Sequence, residues 1–176
     1  MYDRPPYLIS QARIADRVRK IGAQITQDYQ GKHPILLGVL KGCVIFMSDL
    51  ARAIDIPCEF EFMKVSSYGA GTKTSGVVEI QQDISCDIKD RDIIIVEDIL
   101  DSGLTLQYLL EQLKLRNPAS IKICAFLEKP TRRQTDVHID YLGFQVEDVF
   151  VIGYGLDFDG KYRNLPYVAE LENPPV

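Results

Sequence analysis

The chain has 176 residues, a net charge of −5, 46% hydrophobic residues and 26% charged residues. That is the size and composition of one globular domain with a sizeable core, and its acidic balance offers no broad basic field for nucleic acid. No apolar run reaches the ~18 residues of a membrane span, and Arg4, Pro5 and Pro6 interrupt any signal-peptide apolar segment.

Ser10 is placed to cap a first helix with the apolar stripe Ile14, Val18, Ile21 and Ile25, and Gly31 ends it. His33-Pro34 then opens a buried strand, Ile35 to Leu40, which runs into Lys41-Gly42. A second helix is predicted from about Cys43 to Ala53, with Val44, Met47, Leu50 and Ala51 inward. Lys41 puts a cation in the turn, and Gly42 permits close backbone approach. Cys58 to Val65 alternates as a strand. Ser66 to Gly76 is polar, contains Gly69, Gly71 and Gly76, and cannot pack a core. It reads as a long connection able to act as a flexible lid over a site, before Val77 to Ile80 resumes a strand.

The central stretch is Asp92 to Leu106. Ile93 to Val96 has the β-branched composition of a strand buried on both faces. Leu106, Leu109, Leu110 and Leu113 follow at helical spacing. Between them, Ser102 and Gly103 allow a tight turn into a helix N-terminus, which is a place to hold a phosphate. Glu97, Asp98 and Asp101 stand beside that cradle. Acids there would repel an anion unless the ligand also brings hydroxyls, a metal ion or a developing positive charge. A sugar phosphate with Mg²⁺ brings all three.

Pro118 ends the helix, and Ser120 to Leu127 is a further buried strand with Glu128-Lys129-Pro130 at its carboxyl end. Val146 to Ile152 is predicted as a last core strand. It leads into Gly153-Tyr154-Gly155-Leu156-Asp157 and then Tyr162-Arg163-Asn164-Leu165-Pro166. Cys43, Cys58, Cys86 and Cys124 form no Cys-x-x-Cys pair, so reduced thiols in a cytoplasmic protein are expected rather than a zinc site.

Val96-Glu-Asp-Ile-Leu-Asp-Ser-Gly-Leu-Thr-Leu106 resembles the phosphoribosyl-pyrophosphate (PRPP) motif of type I phosphoribosyltransferases, in the form of their hypoxanthine-guanine branch. Leu40-Lys41-Gly42 resembles the family's pyrophosphate loop, Ser66-Ser67-Tyr68 its flexible catalytic loop, and Gly153 to Arg163 its C-terminal signature. The resemblance runs from about residue 9 to about 168. It departs at Leu104, where many relatives carry Lys or Arg, and in a short N-terminus like that of bacterial relatives. Residues 170 to 176 carry no readable signal.

The resemblance implies an α/β fold with a Rossmann-like, mainly parallel central sheet flanked by helices. Residues 1–176 would form a single domain, with a core of about 30–145, a hood from about 1–12 and 146–176, and a flexible loop at 66–76. It implies purine salvage: PRPP with hypoxanthine gives IMP and pyrophosphate, and guanine gives GMP. Asp101 would be the general base. Leu40, Lys41, Gly42, Glu97, Asp98, Asp101, Ser102, Gly103, Leu104, Thr105 and Arg163 would bind PRPP or its phosphates. Ile99, Lys129, Phe150, Val151, Leu156 and Asp157 would bind the purine, with Lys129 on its 6-oxo oxygen. Glu97, Asp98 and Asp157 would hold Mg²⁺, and Ser67 and Tyr68 would belong to the lid. Family members are homodimers or homotetramers, and one peptide bond of the pyrophosphate loop, here Leu40–Lys41, is often cis. The competing readings are a PRPP-sensing regulator, a phosphoribosyltransferase for xanthine, adenine or orotate, and a flavodoxin-like binding domain, which leaves the three acids unexplained.

Overall fold

The computed structural model describes residues 7–68 and 77–172. Six strands form the main sheet. They are β2 (Ile35–Leu40), β3 (Glu59–Tyr68), β4 (Val77–Gln82), β5 (Asp92–Leu100), β6 (Ser120–Glu128) and β7 (Tyr141–Gln145), in the order β4-β3-β2-β5-β6-β7. All neighbours run parallel except the β3–β4 pair. The order reverses between β2 and β5, which pair from Ile35↔Ile93 to Gly38↔Val96. In an open α/β sheet a ligand crevice forms outside the carboxyl ends at such a switch point.

Alternate residues of the central strands serve two cores. Leu36, Ile94, Val96, Cys124 and Phe126 face α1 (Gln11–Asp28) and α2 (Val44–Ala53), while Leu37, Ile93, Ile95 and Ile123 face α3 (Leu104–Lys114). Ile93 to Val96 are fully buried, as their uninterrupted β-branched run requires. Ser10 is the N-cap of α1 and accepts from the Arg13 N–H.

A second, three-stranded antiparallel sheet joins β1 (Tyr7–Ile9), β9 (Val168–Glu170) and β8 (Val151–Ile152) over the crevice side of the core. The Phe126 ring bridges the layers, 5.3 Å from Phe46 of α2 and 4.8 Å from Tyr154 after β8. Tyr154 also donates its hydroxyl to Asp49 of α2 at 2.6 Å, which fixes the C-terminal turn beside the crevice.

Three sequence expectations are corrected. The helix α2 buries Phe46, Met47 and Leu50, while Val44 and Ile45 are exposed. The first four residues of this helix, Val44 to Met47, are all apolar, so spacing alone does not fix its phase. The strand β3 continues through Ser66 to Tyr68, paired with Val77 to Glu79, so these three residues are ladder and not loop. Residues 69–76 of the expected lid lie outside the described residues. The last core strand is Tyr141–Gln145, while of Val146 to Ile152 only Val151–Ile152 is strand, and in the smaller sheet. Val146, whose N–H donates to the Glu128 carbonyl at 2.9 Å, and Val149 pack against the core outside any strand, and their burial accounts for the strand-like composition of the segment.

The first helix is tied to the sheet edge by Asp28, whose carboxylate accepts from the Tyr141 hydroxyl at 2.6 Å and from Lys122 at 3.1 Å. The Tyr141 hydrogen bond holds the Asp28 carboxyl below its usual range, against the opposing effect of partial burial. A lowered folded value stabilises above the unfolded value of about 3.9 and is lost as pH falls through the folded one. Asp28→Asn is therefore expected to lower the denaturation midpoint at pH 7, with the gap to the parent closing towards pH 3. A gap that persists unchanged at pH 3 would show that the carboxylate charge is not what matters.

Candidate active site

Strands β2 and β5 end side by side, and their following turns face each other across a cleft of about 290 Å³. Leu40 to Gly42, Glu97 to Gly103, Thr105, Asp157 and Arg163 line it. A larger hollow of about 870 Å³ lies between α3 and the Asp136 to Asp140 segment, towards the amino ends of β5 and β6. It contains none of the motif residues, so size does not locate the chemistry here.

The β2 turn begins with a cis Leu40–Lys41 peptide. Gly42 then passes so close to the acidic strand that a Cβ on it would stand 1.5 Å from Asp98 Oδ2. On its other side the Gly42 carbonyl lies against Gly155, where a Cβ would come within 2.1 Å of that oxygen. Gly42 is thus packed between the β5 acids and the C-terminal turn.

On β5, Glu97 is buried and Asp98 half-buried. Burial, reinforced by the neighbouring Asp98 charge, pushes the Glu97 carboxyl well above the usual carboxylate range. Burial also raises Asp98, partly offset by the Ile99 N–H that donates to Asp98 Oδ1 at 2.9 Å. Among the described residues no ion pair involves either acid. A hard cation, which prefers oxygen donors, would supply the counter-charge this pair lacks among the described residues. Asp157 is instead paired with Arg163 at 2.6 Å and accepts from the Gly160 N–H. Among the described residues no three acidic, histidine or cysteine side chains close into one metal-binding cluster. Such a cage is not required by Mg²⁺, which commonly takes one or two carboxylates and completes its shell with water and substrate phosphates.

The phosphate turn follows. Gly103 is the N-cap of α3 at φ +83°, a backbone conformation that favours glycine, and makes no side-chain cap. The first amides of α3, which no helical carbonyl can reach, are available to an anion, together with the hydroxyls of Ser102 and Thr105. The Leu104 N–H donates to Ser102 Oγ at 3.4 Å, which closes the turn on itself.

The purine-side candidates flank this cleft. Ile99 lines it, and Lys129 is brought next to Asp101 by the β5–β6 ladder, its N–H donating to the Leu100 carbonyl at 3.0 Å. The Lys129 ammonium is nearly buried and lies 3.5 Å from Asp148. Phe150 is 42% exposed with its ring edge-on to Phe158 at 5.6 Å, so it is not a core residue and has a face free to stack. Val151 and Leu156 are buried in the main core cluster. The Arg163 guanidinium is fixed by Asp157 and by the Gly155 carbonyl, 2.6 Å from Nη1. Ser67 and Tyr68 lie on β3, and their side chains lie outside the described residues.

Sequence reasoning missed the loop that joins the two halves. Arg133 donates to Glu128 at 2.6 Å and to the carbonyls of Thr135 and Val137, and the Gln134 N–H donates to the Ser102 carbonyl at 2.9 Å. Arg132 pairs with Asp101 at 2.8 Å. The one available signal was a charged cluster, Glu128 to Arg133, directly after a buried strand.

Comparison with known proteins agrees with this geometry. The phosphoribosyl transferase domain family matches residues 8–159. A hypoxanthine-guanine phosphoribosyltransferase of Bacillus subtilis is 48% identical over 171 residues, covering 97% of this chain and 95% of the relative. One from Mycobacterium avium is 47% identical, covering 94% and 84%. A crystal structure of a hypoxanthine phosphoribosyltransferase from Staphylococcus aureus superposes with a TM-score of 0.92 at 43% identity, covering 95% of this chain and 91% of that one. The switch-point cleft, its acids and these similarities place the chain in the phosphoribosyltransferase family, within its hypoxanthine-guanine branch.

Proposed function

We propose that the protein transfers the 5-phosphoribosyl group of PRPP to hypoxanthine or guanine, giving IMP or GMP and pyrophosphate, as a cytoplasmic homodimer or homotetramer of purine salvage. The observation that carries this reading is the meeting of the β5 acids Glu97 and Asp98, Asp101 just after that strand, a phosphate turn and the Leu40–Gly42 loop at one switch point. Relatives that share nearly the whole chain bear the corresponding enzyme name.

In this reading the Ser102 to Thr105 turn anchors the ribose 5-phosphate through backbone amides and hydroxyls. Glu97 and Asp98 accept from the ribose hydroxyls, and Lys41 and Arg163 set positive charge beside the pyrophosphate. Glu97, Asp98 and, once its pairing with Arg163 shifts, Asp157 would hold Mg²⁺, whose charge when bound neutralises the leaving pyrophosphate. The ring of Phe150 stacks on the purine, Ile99 and Leu156 close its other face, and the Val151 backbone reads its edge. The anomeric C–O bond to pyrophosphate breaks with oxocarbenium character as the purine nitrogen forms the new C–N bond. Asp101 accepts the proton that this nitrogen loses.

Lys129 sets the base class. Its ammonium donates to a 6-oxo oxygen and repels the 6-amine of adenine. A hydrogen bond from a charged donor contributes about 1.5–3 kcal/mol. Lys129→Gln should therefore raise the KM for hypoxanthine about 10- to 100-fold, with the PRPP KM little changed. A spectrophotometric assay of PRPP and Mg²⁺ with hypoxanthine, guanine, xanthine and adenine tests the whole reading. Turnover of hypoxanthine and guanine is expected. Adenine turned over faster than hypoxanthine would overturn the base assignment, a preference for xanthine would move the enzyme to a different 6-oxopurine, and silence with every base would favour a PRPP sensor.

A further inference from the structure

We propose that Arg132 is a positioning residue for phosphoribosyl transfer, holding the Asp101 carboxylate in the orientation that receives the purine proton. The inference rests on the reading of Asp101 as general base. Arg132 lies in the 3-10 turn Pro130–Arg132 after β6. Its Nε donates to Asp101 Oδ1 at 2.8 Å. Its Nη1 lies 3.7 Å from Asp148 Oδ2, and Asp148 Oδ1 lies 3.5 Å from the Lys129 ammonium. Asp101, Arg132, Asp148 and Lys129 therefore form a chain of alternating charge. It joins the group that takes the purine's proton to the group that reads its 6-oxo oxygen.

The pairing is not a device for holding the fold. The Arg132 side chain is 51% exposed, Asp101 44% and Asp148 48%. Ion pairs at that exposure add little to stability, because water screens them and ordering two side chains costs entropy. What the contact does is geometric. A carboxylate on a solvent-facing turn samples many orientations, whereas one oxygen tied to Arg132 leaves the other presented to an attacking purine. The turn that carries Arg132 is itself fixed, by the Arg133–Glu128 pair at 2.6 Å and by the Gln134 N–H on the Ser102 carbonyl at 2.9 Å. A planar guanidinium can bridge two carboxylates at once, which a lysine ammonium cannot do with the same geometry. Asp148 in turn restrains Lys129 until a 6-oxo oxygen competes for its ammonium.

Arg132→Gln, Arg132→Lys and Asp101→Asn, measured side by side with hypoxanthine and PRPP, test the proposal. Misplacing a catalytic group costs about 10²-fold per ångström. Arg132→Gln should accordingly lower kcat about 10- to 100-fold, with the PRPP KM and the melting temperature close to the parent. Arg132→Lys should recover part of that loss. It keeps the charge, so it answers the question by itself should the Gln variant fail to fold. A parent-like kcat in Arg132→Gln beside an inactive Asp101→Asn overturns the role of Arg132 and leaves the base assignment standing. A parent-like kcat in Asp101→Asn overturns the base assignment itself. A loss in Arg132→Gln carried by the PRPP KM or by a lowered melting temperature also overturns the proposal, because it marks a structural role.

Discussion

Asp101→Asn should lower turnover about 10²- to 10⁴-fold, the usual contribution of a well-placed general base, and leave PRPP binding nearly intact. The substitution is close to isosteric. Asn keeps an oxygen that can accept from Arg132 Nε, now 2.8 Å from Asp101 Oδ1, so the side chain stays in place and only its basicity is lost. Asp101 follows the last residue of β5, with Leu100 buried behind it and the phosphate turn ahead. Its position is thus set by the strand and not by the carboxylate. Steady-state kinetics with each substrate varied in turn make the check: kcat falls while the PRPP KM holds. Near-normal turnover would remove Asp101 from the chemistry, and a large rise in the PRPP KM would make it a ligand of the ribose phosphate instead.

The features legible in the sequence are those written by local physics. Ile93–Val96 is an unbroken β-branched run and Ile35–Leu40 is branched apolar but for Gly38, and such runs have nowhere to go but the middle of a parallel sheet. Ser102-Gly103 before a leucine-spaced helix announces a tight turn into a helix N-terminus, and Gly103 at φ +83° is that turn. The features that escaped depend on tertiary contact. Tyr141–Gln145 is a short edge strand interrupted by Gly143, and its ladder with β6 leaves no periodic trace strong enough to outweigh the more apolar Val146 to Ile152. The phase of α2 is hidden because Val44, Ile45, Phe46 and Met47 are all apolar, and packing against the core, with Phe126 5.3 Å away, selects Phe46. The contact of Arg132 with Asp101 spans 31 residues of sequence and is made by an exposed side chain, for which composition carries no signal. Around the cleft, then, the turns set by their own backbone were readable, and the Arg132 and Arg133 contacts between loops were not.

Gly42 is a place where both kinds of information meet, and Gly42→Ala should be among the most damaging conservative changes to activity. The added Cβ would lie 1.5 Å from Asp98 Oδ2 and 2.4 Å from its Cγ, well inside contact distance. Relief requires either the Asp98 carboxylate or the Leu40–Gly42 loop to move by an ångström or more. Both carry substrate in the proposed reaction, and such a displacement costs about 10²-fold. The loop cannot simply retreat, because the Gly42 carbonyl already abuts Gly155. Overpacking of this kind also costs about 1–3 kcal/mol of stability, so activity and melting must be read together. Gly31→Ala supplies the contrast. Gly31 has φ +77° with nothing within 4 Å of an added Cβ, and lies beyond the end of α1, away from the cleft. That change should cost about 1–2 kcal/mol through backbone strain and leave kcat/KM for both substrates unaltered. A pair of variants with similar melting temperatures and kcat/KM values about 10²-fold apart would show that the approach of Gly42 to Asp98 serves the site. Equal activities at equal stability would reduce that approach to packing.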